Sequence, residues 1–429
     1  MKDVLKELFV STLGELSLGP VMRSRIGCED GVLAVGEDKI DLAQYKKVIV
    51  VAIGKAAAPM ATTFAEIVEP RRVSGVIVTP VVEHDAPRYF LKYVGGHPYP
   101  NEQSVHGARV VRELVADLNE KHLVVYLLSG GGSACFEQPV FDELSLADLQ
   151  GLNRALVTCG ADIVEMNVVR KHFSAVKGGR LGVDASPARQ LTLYVSDVPS
   201  EQASSVASGP TMPDESTVDH CYEVIKRRQL KLPESIERIL NERRVTETPK
   251  QDDPRFALSS WYCLLDNSHA LLAVESRVRE LGWVLETDLS VDDAPVEEAV
   301  KRLYARLMKL KAEHNNRPVA VLTGGELSCP VIGDGNGGRN QAFVLECAKI
   351  LAPNTAVVSA GTDGIDGNSP AAGAVADGST LSRAGAVGMD PLDYYERSDS
   401  FHFFDRIGDA IITGPTGNNV RDIRLLVAW

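Results

Sequence analysis

A lysine and an arginine, each beside glycine and each leading into a helix-compatible segment, are the residues of this chain best suited to chemistry. Lys55 stands in Gly54–Lys55–Ala56–Ala57–Ala58, where an alanine-rich helix begins. Arg339 follows Gly333, Gly335, Gly337 and Gly338 and precedes Asn340, Gln341 and the segment Ala342–Leu351. Glycines let the backbone turn tightly and bring N–H groups against an anion. A helix N-terminus beside them adds partial positive charge, and arginine presents a fixed fork of donors to carboxylate or phosphate. The plainer readings are a solvated lysine and a long hairpin loop; the Gly-Gly-Arg-Asn-Gln run ahead of a helix favours an anion site. Upstream of Arg339, Gly324–Gly325–Glu326 interrupts the apolar run that begins at Val319. A third loop, Ser129–Gly130–Gly131–Gly132–Ser133, reads as a backbone nest for phosphate or carboxylate. Asp197 ends the run Leu191–Val195 at a place where metal ligands and catalytic acids are often found. Asp363 and Asp366 sit three apart in the glycine loop Gly361–Gly367, as in part of a calcium loop, but the closing Glu of an EF-hand is missing, and a β-turn pair is the alternative. Asn167–Leu181 is the densest cationic cluster, with Arg170, Lys171, His172, Lys177 and Arg180. Its Asn167, Arg170 and Ser174 fall on one helical face, which suits a cleft wall as well as a solvated surface. His97 lies in a turn-rich loop, where a lone histidine is more often structural.

Most of these loops need a buried strand behind them. Lys47–Ile53, Gly75–Thr79, Leu123–Leu128 and Leu191–Val195 are continuous β-branched and aliphatic runs, the mark of parallel strands covered on both faces. Ligands of open α/β sheets sit outside the carboxyl ends of such strands, where the lysine, serine-glycine and Asp197 loops fall. The spacing predicts helices over Asn101–Leu118, Ser145–Glu165 and Pro295–His314, and further strands over Gly282–Leu289, Val319–Leu322, Thr355–Ser359 and Ile423–Val427. The first residues form an amphipathic helix through Leu5, Leu8, Phe9, Leu13 and Leu16.

At 429 residues the chain exceeds what one core usually supports, so two domains are expected. Charged, proline-bearing Asp214–Phe256 is the best boundary, giving domains 1–250 and 251–429. Apolar content of 44% and charged content of 24% are ordinary for a soluble protein, and no run has membrane-spanning length. Seven cysteines without a Cys-x-x-Cys pair argue against a disulfide framework and a structural zinc site and fit a reducing cytoplasm. A net charge of −13 opposes nonspecific nucleic-acid binding. Lys55 lacks the spacing of a Walker A loop, the Ser129–Ser133 loop is not Gly-x-Gly-x-x-Gly, and no dinucleotide fingerprint with an acidic residue some 20 positions on is present. Several Gly/Ser/Thr/Asp loops after buried strands, with few histidines or cysteines placed as nucleophiles, suit phosphoryl transfer.

Together the motifs resemble those of the glycerate 2-kinase family, whose members have also been labelled hydroxypyruvate reductases. The matching pieces, in order, are Gly54–Lys55–Ala56, Gly96–His97–Pro98, Leu128–Ala134, Arg170–Lys171–His172 with Lys177–Leu181, Ser196–Asp197–Val198 and Ala207–Thr211. They continue with Gly324–Gly325–Glu326, Gly337–Gln341, Gly361–Gly367 and Thr413–Gly417. The resemblance implies an α/β protein of two domains, an N-terminal Rossmann-like three-layer α/β/α domain with a parallel sheet and a smaller C-terminal α/β domain, with the active site in the interdomain cleft. It implies phosphorylation of D-glycerate at its 2-hydroxyl by ATP and Mg2+; an NAD(P)H-dependent hydroxypyruvate reductase is the alternative. Charge and hydropathy point to no nucleic-acid or membrane partner, and a monomer and a homodimer are both open. Lys55 and Arg339 are the implied essential residues, and Asp197 is the candidate metal ligand or base. Ser129, Gly130, Gly131, Gly132, Ser133, Arg170, Lys171, Gly324, Gly325, Glu326, Asn340, Asp363 and Thr416 are implied to bind substrate or ATP.

Overall fold

The structure, a computed structural model, describes residues 1–69, 73–81 and 87–429. Its strands are β1 (Ile26–Glu29), β2 (Val32–Val35), β3 (Asp38–Asp41), β4 (Lys47–Ile53), β5 (Val73–Thr79), β6 (Phe90–Val94), β7 (His122–Leu128), β8 (Arg189–Val195) and β9 (Ser259–Leu265). They continue with β10 (Val284–Thr287), β11 (Val319–Thr323), β12 (Thr355–Gly361), β13 (Gly373–Asp377), β14 (Ala410–Ile411) and β15 (Asp422–Ala428). Two compact units result, one of Leu18–Leu264 and one of Met1–Ser17 with Leu265–Trp429. This differs from the expected division at residue 250 in both respects, and packing explains why. Asp214–Phe256 is no linker: the helices Val218–Arg227 and Glu234–Asn241 bury Cys221, Val224, Ile236 and Ile239 against Leu152, Leu156, Val169 and Phe173. The first helix, Lys2–Glu15, buries Leu5, Leu8 and Phe9 and belongs to the unit of the C-terminal residues. There Lys2 Nζ donates to Asp409 Oδ1 at 3.0 Å, and Leu16 O accepts from Asn418 Nδ2 at 2.9 Å.

In the unit of Leu18–Leu264, β1–β3 form an antiparallel meander beside a six-stranded sheet of order β6-β5-β4-β7-β8-β9. The ladders joining β4 to β8 are all parallel. Burial on both faces follows from the run Lys47–Ile53, in which every residue after Lys47 is inaccessible. Ile49, Val51 and Ile53 alternate onto one face, packing with Val111 and Val115 of the helix Glu102–Ala116. The chain leaves β4 toward β5 and β6 on one side and returns to β7 and β8 on the other. That reversal opens a crevice at the carboxyl ends of β4 and β7, where such sheets bind ligands.

The other unit has a mixed sheet of order β10-β11-β15-β12-β13-β14, with β10 and β11 parallel and the remaining ladders antiparallel. Its last strand, β15, is inserted between β11 and β12 and every residue of it is buried. The register sets Asp422 opposite Gly361, and Arg424 opposite both Thr323 and Ser359. An acid and a base two residues apart therefore face the same way inside the sheet.

Candidate active site

The Lys55 and Ser129 loops meet at the crevice. Ser129 N–H donates to Ile53 O at 3.0 Å, Lys55 N–H to Gly130 O at 2.9 Å, and Ala56 N–H to Ser129 Oγ at 3.0 Å. Gly54, at φ +113, is required for this approach, since a Cβ there would collide with the Ser129 backbone. The Lys55 side chain is exposed. A Cβ built on Gly131 would lie 3.1 Å from Lys55 Cγ and 3.4 Å from His97 Cδ2, and one on Gly130 would collide with the Asp197 carboxylate. Lys55, His97 and Asp197 thus surround the glycines. Among the hydrogen bonds of the described residues, none has the N–H of Gly130, Gly131, Gly132 or Ser133 as donor. Four consecutive backbone donors beside a lysine form an anion cradle whose N–H groups no acceptor takes among the described residues. Burial, followed by the charge of Lys55, pushes the His97 pKa below the ordinary imidazole value, so the ring is neutral at pH 7.

No group of three or more His, Cys, Asp or Glu among the described residues is arranged to hold a metal ion. Magnesium commonly keeps water and substrate phosphates and takes only one or two carboxylates. Asp197 alone beside the cradle fits an ion carried mainly by a nucleotide.

The loop is braced from behind. Ser208 Oγ lies 2.8 Å from Ser133 Oγ and donates to Asn167 Oδ1 at 2.9 Å. Ala207 and Ser208 sit at φ +51 and +60, a strained backbone that sets this contact. Glu137, just past the short helix Gly132–Cys135, forms a buried ion pair with Lys177 and accepts from Ser174 Oγ at 2.6 Å. Ser174 therefore does not share a helical face with Asn167 and Arg170: the helix Ile163–Phe173 ends before it, and its backbone is extended. Arg170 Nε donates to Asn153 Oδ1 at 2.7 Å. Lys171, expected to bind ligand, is instead buried in an ion pair with Asp214 at 2.9 Å. Opening that pair would leave an uncompensated buried charge, so Lys171 holds the fold.

Arg339 occupies the corresponding place in the other unit. Its Nε donates to Asp422 Oδ2 at 2.6 Å, its Nη2 to Asp422 Oδ1 at 3.1 Å, and Nη2 also pairs with Glu326 at 2.9 Å. Asp422 is in turn held by fully buried Arg424 at 2.6 Å. Arg424 Nη1 donates to the carbonyls of Gly324 at 3.2 Å and Gly325 at 3.1 Å, fixing the Gly-Gly-Glu loop. Two arginines on one carboxylate keep Asp422 ionised despite complete burial, and its pKa lies below the usual range. Asp422 and Arg424 were not singled out from the sequence. An acid and a base alternating in an otherwise apolar strand were the available signal.

The glycines before Arg339 do not form an open cradle. Gly335 N–H donates to Arg397 O at 2.9 Å, Asn336 N–H to Asp399 Oδ1 at 3.0 Å, and Gly337 N–H to Asn368 Oδ1 at 2.9 Å. The N–H groups of Asn340 and Gln341, at the start of the helix Arg339–Ala348, donate to the buried carboxylate of Asp366 at 3.1 and 2.8 Å. Asn340, expected to touch ligand, is buried, with its amide on Asp366 at 3.3 Å and its Oδ1 accepting from Ser359 Oγ at 2.6 Å. The anion at this helix N-terminus is the protein's own. Burial and the nearby charge of Asp422 raise Asp366 to about 6 against four N–H donors.

The remaining loops are also tied internally. Gly325 N–H donates to Asn267 Oδ1 at 3.1 Å and Glu326 N–H to Asp292 Oδ1 at 3.0 Å, so the Gly324–Glu326 turn offers its side-chain carboxylate, already on Arg339, more than its backbone. Asp363 Oδ1 accepts from Ile365 N–H at 3.1 Å, the turn geometry of the plainer reading. Exposed Thr416 donates to Thr362 O at 2.7 Å.

Comparison with known proteins accords with this arrangement. The family described as a domain of unknown function, DUF4147, matches residues 4–241, and the MOFRL family matches residues 319–422. The D-glycerate 2-kinase of Thermotoga maritima is 39% identical over 385 residues, covering 88% of this chain and 89% of that protein. This chain belongs to the glycerate 2-kinase family. Within that family, a protein of Agrobacterium vitis with the provisional name hydroxypyruvate reductase is 36% identical, covering 88% of this chain and 98% of its own. The crystal structure of a glycerate kinase from Thermotoga maritima superposes on the family fold seen here with a TM-score of 0.85 at 34% identity, covering 100% of this chain and 99% of that one.

Proposed function

We propose that the protein transfers the γ-phosphoryl group of ATP to the 2-hydroxyl of D-glycerate, giving 2-phosphoglycerate and ADP. The observation that carries this reading is the row of four uncommitted N–H donors beside Lys55 at the carboxyl ends of β4 and β7. Those donors and the ammonium of Lys55 would hold the glycerate carboxylate. Neutral His97 accepts the proton as the 2-hydroxyl oxygen bonds to the γ-phosphorus, the bond to the bridging oxygen breaks, and its electron pair leaves with ADP. Arg339, fixed by Asp422 and Glu326, keeps its Nη1 for the phosphoryl oxygens, stabilising charge that develops in transfer. Magnesium, when bound, neutralises the phosphate charge, with Asp197 as its protein ligand.

A hydroxypyruvate reductase, the provisional name borne by the Agrobacterium vitis relative, needs a place for a dinucleotide pyrophosphate. After β4, where one would bind, the only glycine is Gly54, and it packs against Ser129. The test is a pair of assays on purified protein. One follows ADP release with D-glycerate, ATP and magnesium, with the product offered to enolase alone; the other follows NADH or NADPH loss with hydroxypyruvate. ADP release with an enolase-ready product is the expected result. Loss of reduced nucleotide without ADP release would reject the kinase.

A further inference from the structure

The loop ahead of Arg339 has most of its N–H groups filled from within, and it lines a cavity of about 430 Å³ within its own unit. That volume is in the range of small-molecule sites, about 300–1,000 Å³. Its walls are of two kinds. Val331, Ile332, Ala342 and Tyr395 are apolar or aromatic; Arg339 and Asn368 are charged or polar. No carboxylate lines the cavity, in a chain whose net charge is −13. Val331 is 82% and Ile332 63% exposed, two adjacent β-branched side chains left uncovered at a cavity wall. A larger cavity of about 850 Å³ in the other unit, by contrast, mixes Asp184, Glu247, Asp252 and Asp253 with arginines and lysine and is poorly matched to a polyanion.

A ligand suited to the smaller cavity combines a flat apolar body with anionic oxygens. We infer that this cavity of the Met1–Ser17 and Leu265–Trp429 unit holds the base and ribose of ATP, with the phosphates running toward Arg339. The inference rests on the kinase reading and goes beyond it by assigning the base and ribose of the nucleotide to this cavity. The base would cover Val331 and Ile332 and lie near the Tyr395 ring. The Nη1 of Arg339, not used in its pairs with Asp422 and Glu326, is the donor available to phosphate. The N–H groups of Gly335, Asn336, Gly337, Asn340 and Gln341, already committed, would not take part.

The experiment is calorimetric titration of the full chain with ADP and magnesium, for the wild type, Val331→Asp and Ile332→Asp. Both side chains are solvent-facing, so folding is not threatened, and Val331→Ala provides a milder variant. A carboxylate at the cavity wall should weaken ADP at least about tenfold, roughly 1.4 kcal/mol. The KM for ATP should rise with it while the KM for D-glycerate stays at its wild-type value. Unchanged ADP affinity in both aspartate variants would overturn the cavity assignment and leave the kinase standing. A wild-type protein that binds neither ADP nor ATP would overturn the kinase reading and this inference together.

Discussion

Ser129–Ser133 and Gly333–Gln341 are both glycine-rich and both run into a helix, yet one leaves four consecutive N–H groups unclaimed and the other has most of its N–H groups filled from within. In the first, four consecutive donors lie beside Lys55 with no internal acceptor among the described residues. In the second, Asp366, Asn368, Asp399 and the Arg397 carbonyl occupy the donors, and Asp366 sits where a bound phosphate would. The difference lies in what the neighbouring loops supply. A helix N-terminus attracts an anion wherever it occurs, but a carboxylate from the same chain satisfies it as well as a substrate. The second loop consequently becomes a rigid mount for Arg339, and the first is left to bind.

The sharpest way to break that comparison is to attack the mount. Asp422→Asn removes the charge shared by Arg339 and Arg424 and leaves Arg424 buried without a counter-ion. It should cost about 3–5 kcal/mol in urea unfolding; a loss below about 1 kcal/mol would show that the pair does not hold the unit together. Lys55→Ala addresses the cradle instead. Its side chain is exposed, so the melting temperature should not move, while turnover falls about 10²–10³-fold, the usual loss for one charge-stabilising donor. Near-normal rates would remove Lys55 from the chemistry.

A matched pair of glycine substitutions separates the two loops more finely. In Gly130→Ala the atoms nearest the new methyl all belong to the Asp197 side chain, so kcat/KM for glycerate should fall while stability is kept. In Gly338→Ala it meets both carboxylate and backbone atoms of Asp366, and the expected effect is a stability loss of about 1–3 kcal/mol. The smallest effects are in pH dependence. Asp366 is raised to about 6 in the folded protein from an unfolded value of about 3.9, so the folded state binds more protons between those values. Its ionisation costs stability as pH rises through that window, and Asp366→Asn should flatten that part of the stability curve. His97 is shifted the other way. If its neutral ring is the base, kcat/KM should fall on the acid side only below about pH 6.5, and His97→Gln should abolish that limb.

The buried parallel strands were the legible part of the fold. Lys47–Ile53 was read with its observed bounds, because a β-branched run flanked by charge and glycine has few alternatives. The meander β1–β3 was not read: its strands are only four residues long, and β1 and β3 carry charged residues. Strand β6 was missed because only Phe90 of it is buried, and β13 because Gly373–Asp377 is built of small residues. At the site, sequence placed Lys55, Ser129–Ser133 and Asp197 on separate loops, and the sheet order brings them together. Lys171 and Asn340 were misplaced because their partners, Asp214 and Asp366, lie 43 and 26 residues away. Local spacing carries no information about which distant carboxylate will claim a donor.

The most direct test of the contrast between the loops is to watch their amides. In protein labelled with ¹⁵N only at glycine, the signals of Gly130, Gly131 and Gly132 should shift on addition of D-glycerate, and those of Gly335, Gly337 and Gly338 should stay in place. Shifts confined to Gly335, Gly337 and Gly338, with the first three unmoved, would contradict the assignment of the substrate anion to the Ser129–Ser133 cradle.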